Sequence, residues 1–435
     1  MLDHLHRTRC PSRRGERGQV LLLLLLVLGL AAGIFVFRNA SNVSTYVSPT
    51  SERVDMDALA QAKAALIIYV TITNFSTTRP GAFPCPDFDD GTANPLNTAN
   101  DGVADLYAGN ECPGYVANSN VYLGRLPWKT LGLPDLRDSS GERLWYAVSR
   151  NFAKNPNCLP NCPDLTSDSL GQLTVNGGSA AVAIVFAPGK ALGSQVRGTT
   201  TQQNTASNYL EDENANGNTA TFASAVASST FNDRLLTINN PDFMPEIEKY
   251  VANQMITILQ AYKAATATSP TYSPGIYPWA DLSDGDSNAS GSDYYNHWRF
   301  PCGTALPVDW NTTVPSSSPS TKTPVLPTWL TNGCNSPVTG WSSVIYYAVS
   351  KIRLENSGSK CSTCSSGNIK VSGANVDLVL ITPGGYTGSP ARNWPSSNFT
   401  TITGYFEDSA NRNNDDTFVT PTETNYNRDR IYTIP

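Results

Sequence analysis

Leu144-Trp145-Tyr146-Ala147-Val148-Ser149 and Ile345-Tyr346-Tyr347-Ala348-Val349-Ser350 are the two stretches that decide how this 435-residue chain is read. Each is an aromatic and β-branched run of the kind that fills a strand, and the second repeats the first. Outward from them, further segments return in the same order. Pro80-Gly81-Ala82-Phe83-Pro84 comes back as Pro274-Gly275-Ile276-Tyr277-Pro278. Val182-Ala183-Ile184-Val185-Phe186-Ala187-Pro188-Gly189 comes back as Val376-Asp377-Leu378-Val379-Leu380-Ile381-Thr382-Pro383-Gly384, offset by one residue. Tyr209-Leu210-Glu211-Asp212 matches Tyr405-Phe406-Glu407-Asp408, and Asn232-Asp233-Arg234-Leu235 matches Asn427-Arg428-Asp429-Arg430-Ile431 with one insertion. Ordered matches over so long a span are a tandem duplication, not a short-period solenoid. The copies are set at residues 39–240 and 241–435.

Each copy opens with a helical pattern. Leu59, Ala62, Leu66 and Val70 recur at spacings of three and four, as do Ile247, Val251, Met255, Leu259 and Tyr262. Such spacing lays one apolar stripe along a helix. Pro245 suits a first helical turn, with Asp242 as a nearby cap. Pro80-Gly81 and Pro274-Gly275 then stop the two helices. The apolar runs Val182–Phe186 and Val376–Ile381, closed by Pro-Gly, read as central strands. A helix followed by an antiparallel sheet is an α+β layer, with the stripe packed on the sheet.

The N-terminus carries a different signal. A leader containing Arg7, Arg9, Arg13, Arg14 and Arg17 ends at Gly18, and an uncharged apolar run extends from Val20 to Phe37. About 18 apolar residues suffice to cross a bilayer as a helix, and a basic leader stays in the cytoplasm. The segments are therefore read as a leader at 1–18 and a transmembrane helix at 19–38, with everything beyond Arg38 extracytoplasmic. Glu16-Arg17-Gly18 followed by Gln19-Val20-Leu21 resembles the prepilin junction of type IV pilins and type II secretion pseudopilins. The resemblance implies cleavage between Gly18 and Gln19 by a prepilin peptidase, with the apolar segment retained. It also implies residence in the inner membrane before assembly with other pilin or pseudopilin subunits through that segment, then display on a pilus or the cell surface. Those families usually have glutamate at the fifth mature position, where this chain has Leu23. That departure favours a tip or minor subunit over a repetitive shaft subunit. The fold expected is thus α+β, an N-terminal transmembrane helix followed by two tandem pilin-like domains. Each domain is a helix packed on an antiparallel sheet with long disulfide-bearing loops. The alternative is an inner-membrane-anchored extracytoplasmic binding or adhesion protein that enters no fibre.

Cys10 lies in the leader, and the remaining cysteines form an even set: Cys85, Cys112, Cys158, Cys162, Cys302, Cys334, Cys361 and Cys364. In an oxidising compartment an even set reads as disulfides. Local spacing favours Cys158–Cys162 and Cys361–Cys364, leaving Cys85–Cys112 and Cys302–Cys334. Zinc or redox chemistry at the close pairs is the competing reading.

Net charge is −6, and Lys and Arg do not cluster after Arg38. Nucleic acid therefore has no electrostatic footprint on the chain. His297 is the only histidine after the leader, which argues against a His-rich metal site or a His-based triad. No nucleophile elbow, zincin motif or phosphate loop is present, so no enzyme activity is expected. The adjacent acids Glu211 and Asp212 would point to opposite faces of a strand. Asp212, Asn214, Asn216 and Asn218 alternate around Gly217 like the first half of a calcium loop, without the closing glutamate, since Ala223 stands there. Asn97–Asp105 looks similar. The competing reading of both loops is that Asn, Asp and Gly simply build turns. No other cofactor is implied.

Overall fold

The computed structural model describes residues 49–73, 79–88, 100–113, 119–153, 169–267, 275–278, 280, 297–299, 341–354, 368–382, 384–385, 406, 411, 416–421 and 429–435. Contacts divide the chain after Pro49, and Thr50–Pro435 forms one compact unit.

Helix α1 (Pro49–Ile68) runs on into a π-helical turn, Tyr69–Thr73. Its stripe residues Leu59, Ala62, Leu66 and Val70 are completely buried. Burying such a side chain contributes about 2 kcal/mol. Strands β1 (Val121–Arg125), β2 (Trp145–Ser149), β4 (Ala183–Ala187) and β6 (Arg234–Ile238) form an antiparallel sheet in the order β1-β2-β4-β6. Between them lie β3 (Thr174–Val175), the short helix α2 (Thr200–Asn204) and β5 (Thr221–Phe222), with β3 and β5 paired in parallel.

Alternation along the strands splits the sheet into two buried faces. Tyr122, Tyr146, Val148, Val185 and Ile238 share a cluster with the α1 stripe. Leu123, Trp145, Ile184 and Phe186 pack on the other side with Leu173, Tyr209, Leu210 and Phe222. Both faces being covered explains why β1, β2 and β4 are buried along their whole length.

The second half repeats this plan. Helix α3 (Met244–Ala267) buries Ile247, Val251, Met255, Leu259 and Tyr262. Then come β7 (His297–Arg299), the short helix α4 (Trp341–Val344), β8 (Tyr346–Val349), β9 (Ile369–Val371), β10 (Ala374–Val376), β11 (Leu378–Thr382), β12 (Thr417–Phe418) and β13 (Arg430–Ile434). The sheet order β7-β8-β11-β13 has the same sequence of neighbours as β1-β2-β4-β6. A parallel β9·β12 pair stands where β3·β5 stands.

Single hydrogen bonds recur as well. The Tyr146 hydroxyl donates to Pro84 O at 3.3 Å, and that of Tyr347 to Pro278 O at 2.8 Å. Asn176-Gly177 and Ser372-Gly373 both turn through positive φ, at 51° and 69° and at 49° and 85°. In the second half this pair makes a two-residue hairpin loop, the geometry for which Gly is chosen.

No linker separates the halves. A 3₁₀ turn, Asn240–Asp242, joins β6 to α3, and the Asp242 carboxylate accepts the Asn239 N–H at 2.7 Å and pairs with Lys63 at 3.0 Å. Asp242 thus caps this turn rather than α3 itself. One apolar cluster holds residues of both halves, from Leu59 to Ile434.

The expected N-terminal transmembrane helix is not supported by the described structure. Among the described residues no helix is long and apolar enough to cross a membrane. Charge keeps the two long described helices from that role: α1 carries Glu52, Arg53, Asp55, Asp57 and Lys63, and α3 carries Glu246, Glu248, Lys249 and Lys263. Residues 19–38 lie outside the described residues, and the described residues form an α+β fold.

Candidate functional site: a polar cluster on the first sheet

The richest chemistry among the described residues lies at the end of β1 and on the loops that cover Trp145. Arg125 closes β1 with its guanidinium against two neighbouring rings, 4.3 Å from the centre of Trp145 and 3.9 Å from that of Tyr209. It donates to Arg143 O at 3.0 Å and Gln203 O at 2.7 Å. Burial pulls its pKa down to about 10, against the opposing pull of Tyr209. Arg197 lies 4.3 Å from the Tyr209 ring centre, donates to Asn208 O and Gly189 O, and pairs with Glu142 at 3.1 Å. Such cation–π contacts strengthen when desolvated.

Gln195 carries the network onward. Its side-chain oxygen accepts from Arg197 at 2.9 Å, and its nitrogen donates to Glu211 at 2.9 Å. Glu211 and Asp233 then hold each other reciprocally. The Glu211 N–H donates to the Asp233 carboxyl at 2.9 Å, and the Asp233 N–H donates to the Glu211 carboxyl at 3.1 Å. Burial, then the neighbouring Glu211, push the Asp233 pKa far above the usual carboxylate range. The carboxylate pair is therefore Glu211 with Asp233, not with the exposed Asp212.

A second acidic loop lies against β1. The two oxygens of Asp87 accept the N–H groups of Asn100 at 2.9 Å and Gly102 at 2.7 Å. Asp105 accepts from Phe88 N at 2.9 Å, and Asp101 from Val103 N at 2.7 Å. Burial raises the Asp87 pKa to about 6. Trp128 lies so close over Gly102, at φ +84°, that a Cβ there would come within 2.4 Å of the ring. These carboxylates bind the backbone of their own loop.

Asp212 starts a 3₁₀ turn, Asp212–Ala215, with φ +49°. Asn214 is fully buried; its amide oxygen accepts from Ala223 N at 2.8 Å and its nitrogen donates to Ala223 O and Asp233. The Asn216 oxygen accepts from Asn218 N at 3.0 Å, a local turn. Of the four proposed calcium ligands, two thus spend their oxygens on protein N–H groups. Among the described residues no group of three or more His, Cys, Asp or Glu side chains could hold a metal ion.

Cys85 and Cys112 form a disulfide, with Cα atoms 5.6 Å apart. Beside it Glu111 takes two ion-paired contacts from Arg150, at 2.6 and 3.0 Å, and the hydroxyl of Tyr122. Cys158, Cys162, Cys302, Cys334, Cys361, Cys364, Gly18 and Gln19 lie outside the described residues.

Comparison with known protein families, curated proteins and solved structures finds no match for this chain.

Sequence reasoning missed Arg125, Arg197 and Gln195 as members of one cluster. A signal existed for the first. Arg125 faces Trp145 across the β1·β2 pair, and Arg299 faces Tyr346 across β7·β8. Arg125-Leu126-Pro127 and Arg299-Phe300-Pro301 are therefore a further repeat match.

Proposed function

We propose that this chain is a structural minor-pilin-like or pseudopilin-like subunit, matured by a prepilin peptidase and placed at or near the tip of a type IV pilus or type II secretion-type fibre. The observation that carries the reading is the junction Arg17-Gly18/Gln19-Val20, a basic leader ending in glycine directly before an uncharged run. Two features lend support: a helix laid on an antiparallel sheet, twice over, and a disulfide at Cys85–Cys112, which suits an oxidising compartment. The hydrogen bonds made by Arg125, Arg197, Glu211 and Asp233 go to protein groups. That is the behaviour of a cluster that shapes a rigid head rather than one that turns over a substrate.

Mass spectrometry of the mature chain from its native host tests the reading. A terminus at Gln19 is the expected result. A terminus at Gly33 or beyond, or an unprocessed leader, removes the pilin-like reading; the unprocessed leader would leave an anchored surface protein that joins no fibre.

A further inference from the structure

We infer that Glu211 and Asp233 share a single proton and act as a pH-sensitive latch, fastening the loop that carries Arg197 and Tyr209 to the start of β6. The inference rests on a count of donors. Glu211 accepts Gln195 Nε2 at one oxygen, and the N–H groups of Asn232 and Asp233 at the other, at 2.9, 3.0 and 3.1 Å. One oxygen of Asp233 accepts the Glu211 N–H at 2.9 Å and the Asn214 amide at 3.0 Å. Three oxygens thus take five donors. The fourth, Asp233 Oδ1, is buried and has no partner.

The two carboxyl groups are held together by the reciprocal bonds from each other's main-chain N–H, and Asp233 is 4 % exposed. Two carboxylates in contact in a dry site do not both ionise. A proton on Asp233 Oδ1 gives that orphan oxygen a role as donor to Glu211, and leaves one negative charge to face five N–H groups. Oxygens lined with N–H donors in this way serve an anion, not a metal ion.

Among the described residues no cation compensates the pair. Arg197 reaches Gln195 rather than either carboxyl. Arg234, the next residue after Asp233, pairs with Glu52 and Asp55 on α1. Asp212 and Glu213 are exposed. Asn214 and Asn232 are neutral. When Asp233 loses its proton, two charges are left facing each other, and the contacts tying Glu211 to residues 232–233 are the ones that give way. Tyr209, two residues before Glu211, is the lid over Arg125 and Trp145.

The test uses the full-length processed chain and its Asp233→Asn variant, whose amide keeps a donor at this place without titrating. For the wild type, the folded-to-unfolded ratio should fall with one-proton steepness, at most about tenfold per pH unit, from above the range in which Asp87 titrates into alkaline pH. Asp233→Asn should lose that component. Equal slopes in the two proteins overturn the inference. If the variant does not fold, the wild type alone decides. At pH 8 its infrared spectrum in heavy water should hold the carbonyl band of a buried protonated carboxyl, and the lack of that band overturns the shared proton. Amide exchange reads the latch itself. At alkaline pH, exchange at Glu211, Asn232 and Asp233 should rise more in the wild type than in Asp233→Asn, and an equal rise overturns the latch.

Discussion

Asn214 and Asn411 make the same two hydrogen bonds in the two halves of the chain. Asn214 accepts from Ala223 N at 2.8 Å and donates to Ala223 O at 3.0 Å. Asn411 accepts from Val419 N at 2.9 Å and donates to Val419 O at 3.2 Å. Each asparagine clamps the chain just after the small parallel strand, β5 or β12, against the turn before it. Among the described residues Asn214 has a further bond, to Asp233 at 3.0 Å, that has no counterpart at Asn411.

That difference sets an order of cost. Replacing a buried amide leaves its partners unsatisfied, at about 1–3 kcal/mol. Asn214→Ala should cost about 2–3 kcal/mol, and Asn411→Ala about 1 kcal/mol less. Urea unfolding of the two variants beside the wild type measures both. Equal losses would mean that the Asp233 bond contributes nothing.

The same pair shows where sequence reading stops. Aligned from Tyr209-Leu210-Glu211-Asp212, Asn214 falls opposite Ala410, one residue short of its true counterpart. The extra residue falls in a polar stretch of sequence, where no apolar period marks the register, and the bonds to Ala223 and Val419 reveal it. The helices and central strands were legible because burial imposes a period: all nine stripe residues named from spacing are completely buried. Arg125 was not legible as a site, because what defines it is a pair of rings from β2 and from a distant loop. Glu211 was read only against its neighbour Asp212 and that pair set aside; its true partner was not legible for a similar reason. Its partner lies 22 residues on, brought there by the turn of the chain into β6.

Arg125→Lys tests the stacked cation. Lysine keeps the charge but has no planar group to set against Trp145 and Tyr209 while donating to both Arg143 O and Gln203 O. A loss on the order of 2 kcal/mol is expected from the cation–π and hydrogen-bonding contributions together. Chemical denaturation reads the stability. Near-ultraviolet circular dichroism reads the environment of Trp145, and an unchanged spectrum with unchanged stability would contradict the stacking role.

Asp87 should make stability fall as pH rises through the mildly acidic range. Its folded pKa, about 6, lies above the ordinary value of 3.8, chiefly because of burial. Between those values the folded state binds more protons than the unfolded one, so stability declines with rising pH. The contribution is full below the unfolded pKa and gone above about 6, a loss of up to about 3 kcal/mol. Asp87→Asn should flatten the profile between about pH 4 and pH 6 and leave the alkaline slope assigned to Asp233 in place. Thermal unfolding across pH separates the two, and an unchanged acidic slope in Asp87→Asn would show that Asp87 is ionised in the fold.

Asp377 illustrates how the second half departs from the first. The Ser149 N–H donates to Val182 O and the Ser350 N–H to Asp377 O, so an acid stands where the first half has valine. Burial pushes the Asp377 pKa up, but Lys263 at 2.6 Å and Arg353 at 2.9 Å outweigh it and hold the pKa below the usual range. Asp377→Val should therefore not behave like the benign valine of the first half. Removing the shared acid leaves two partly buried cations together, at roughly 3 kcal/mol. The double variant Asp377→Val with Lys263→Met should recover part of that loss in urea unfolding. No recovery would mean that the cations were not the cause.

Phe243 tests whether the two halves melt together. It stands one residue before α3, completely buried, with its ring edge-on to Phe83 at 5.2 Å and to Phe152 at 6.1 Å. Both partners belong to the first half, while the chain leaving Phe243 builds the helix whose stripe covers the second sheet. Phe243→Ala should cost about 3–5 kcal/mol, as large-to-small changes in a packed core do. Where that cost appears is the informative part. A single apolar cluster runs across the junction, and a turn rather than a linker makes the connection. Loss of this ring should therefore lower the protection of amides in both β4 and β11, and calorimetry should still show one transition at a lower temperature. Loosening confined to β4, or a calorimetric trace split in two, would mean that each half folds on its own core and that Phe243 belongs to the first alone.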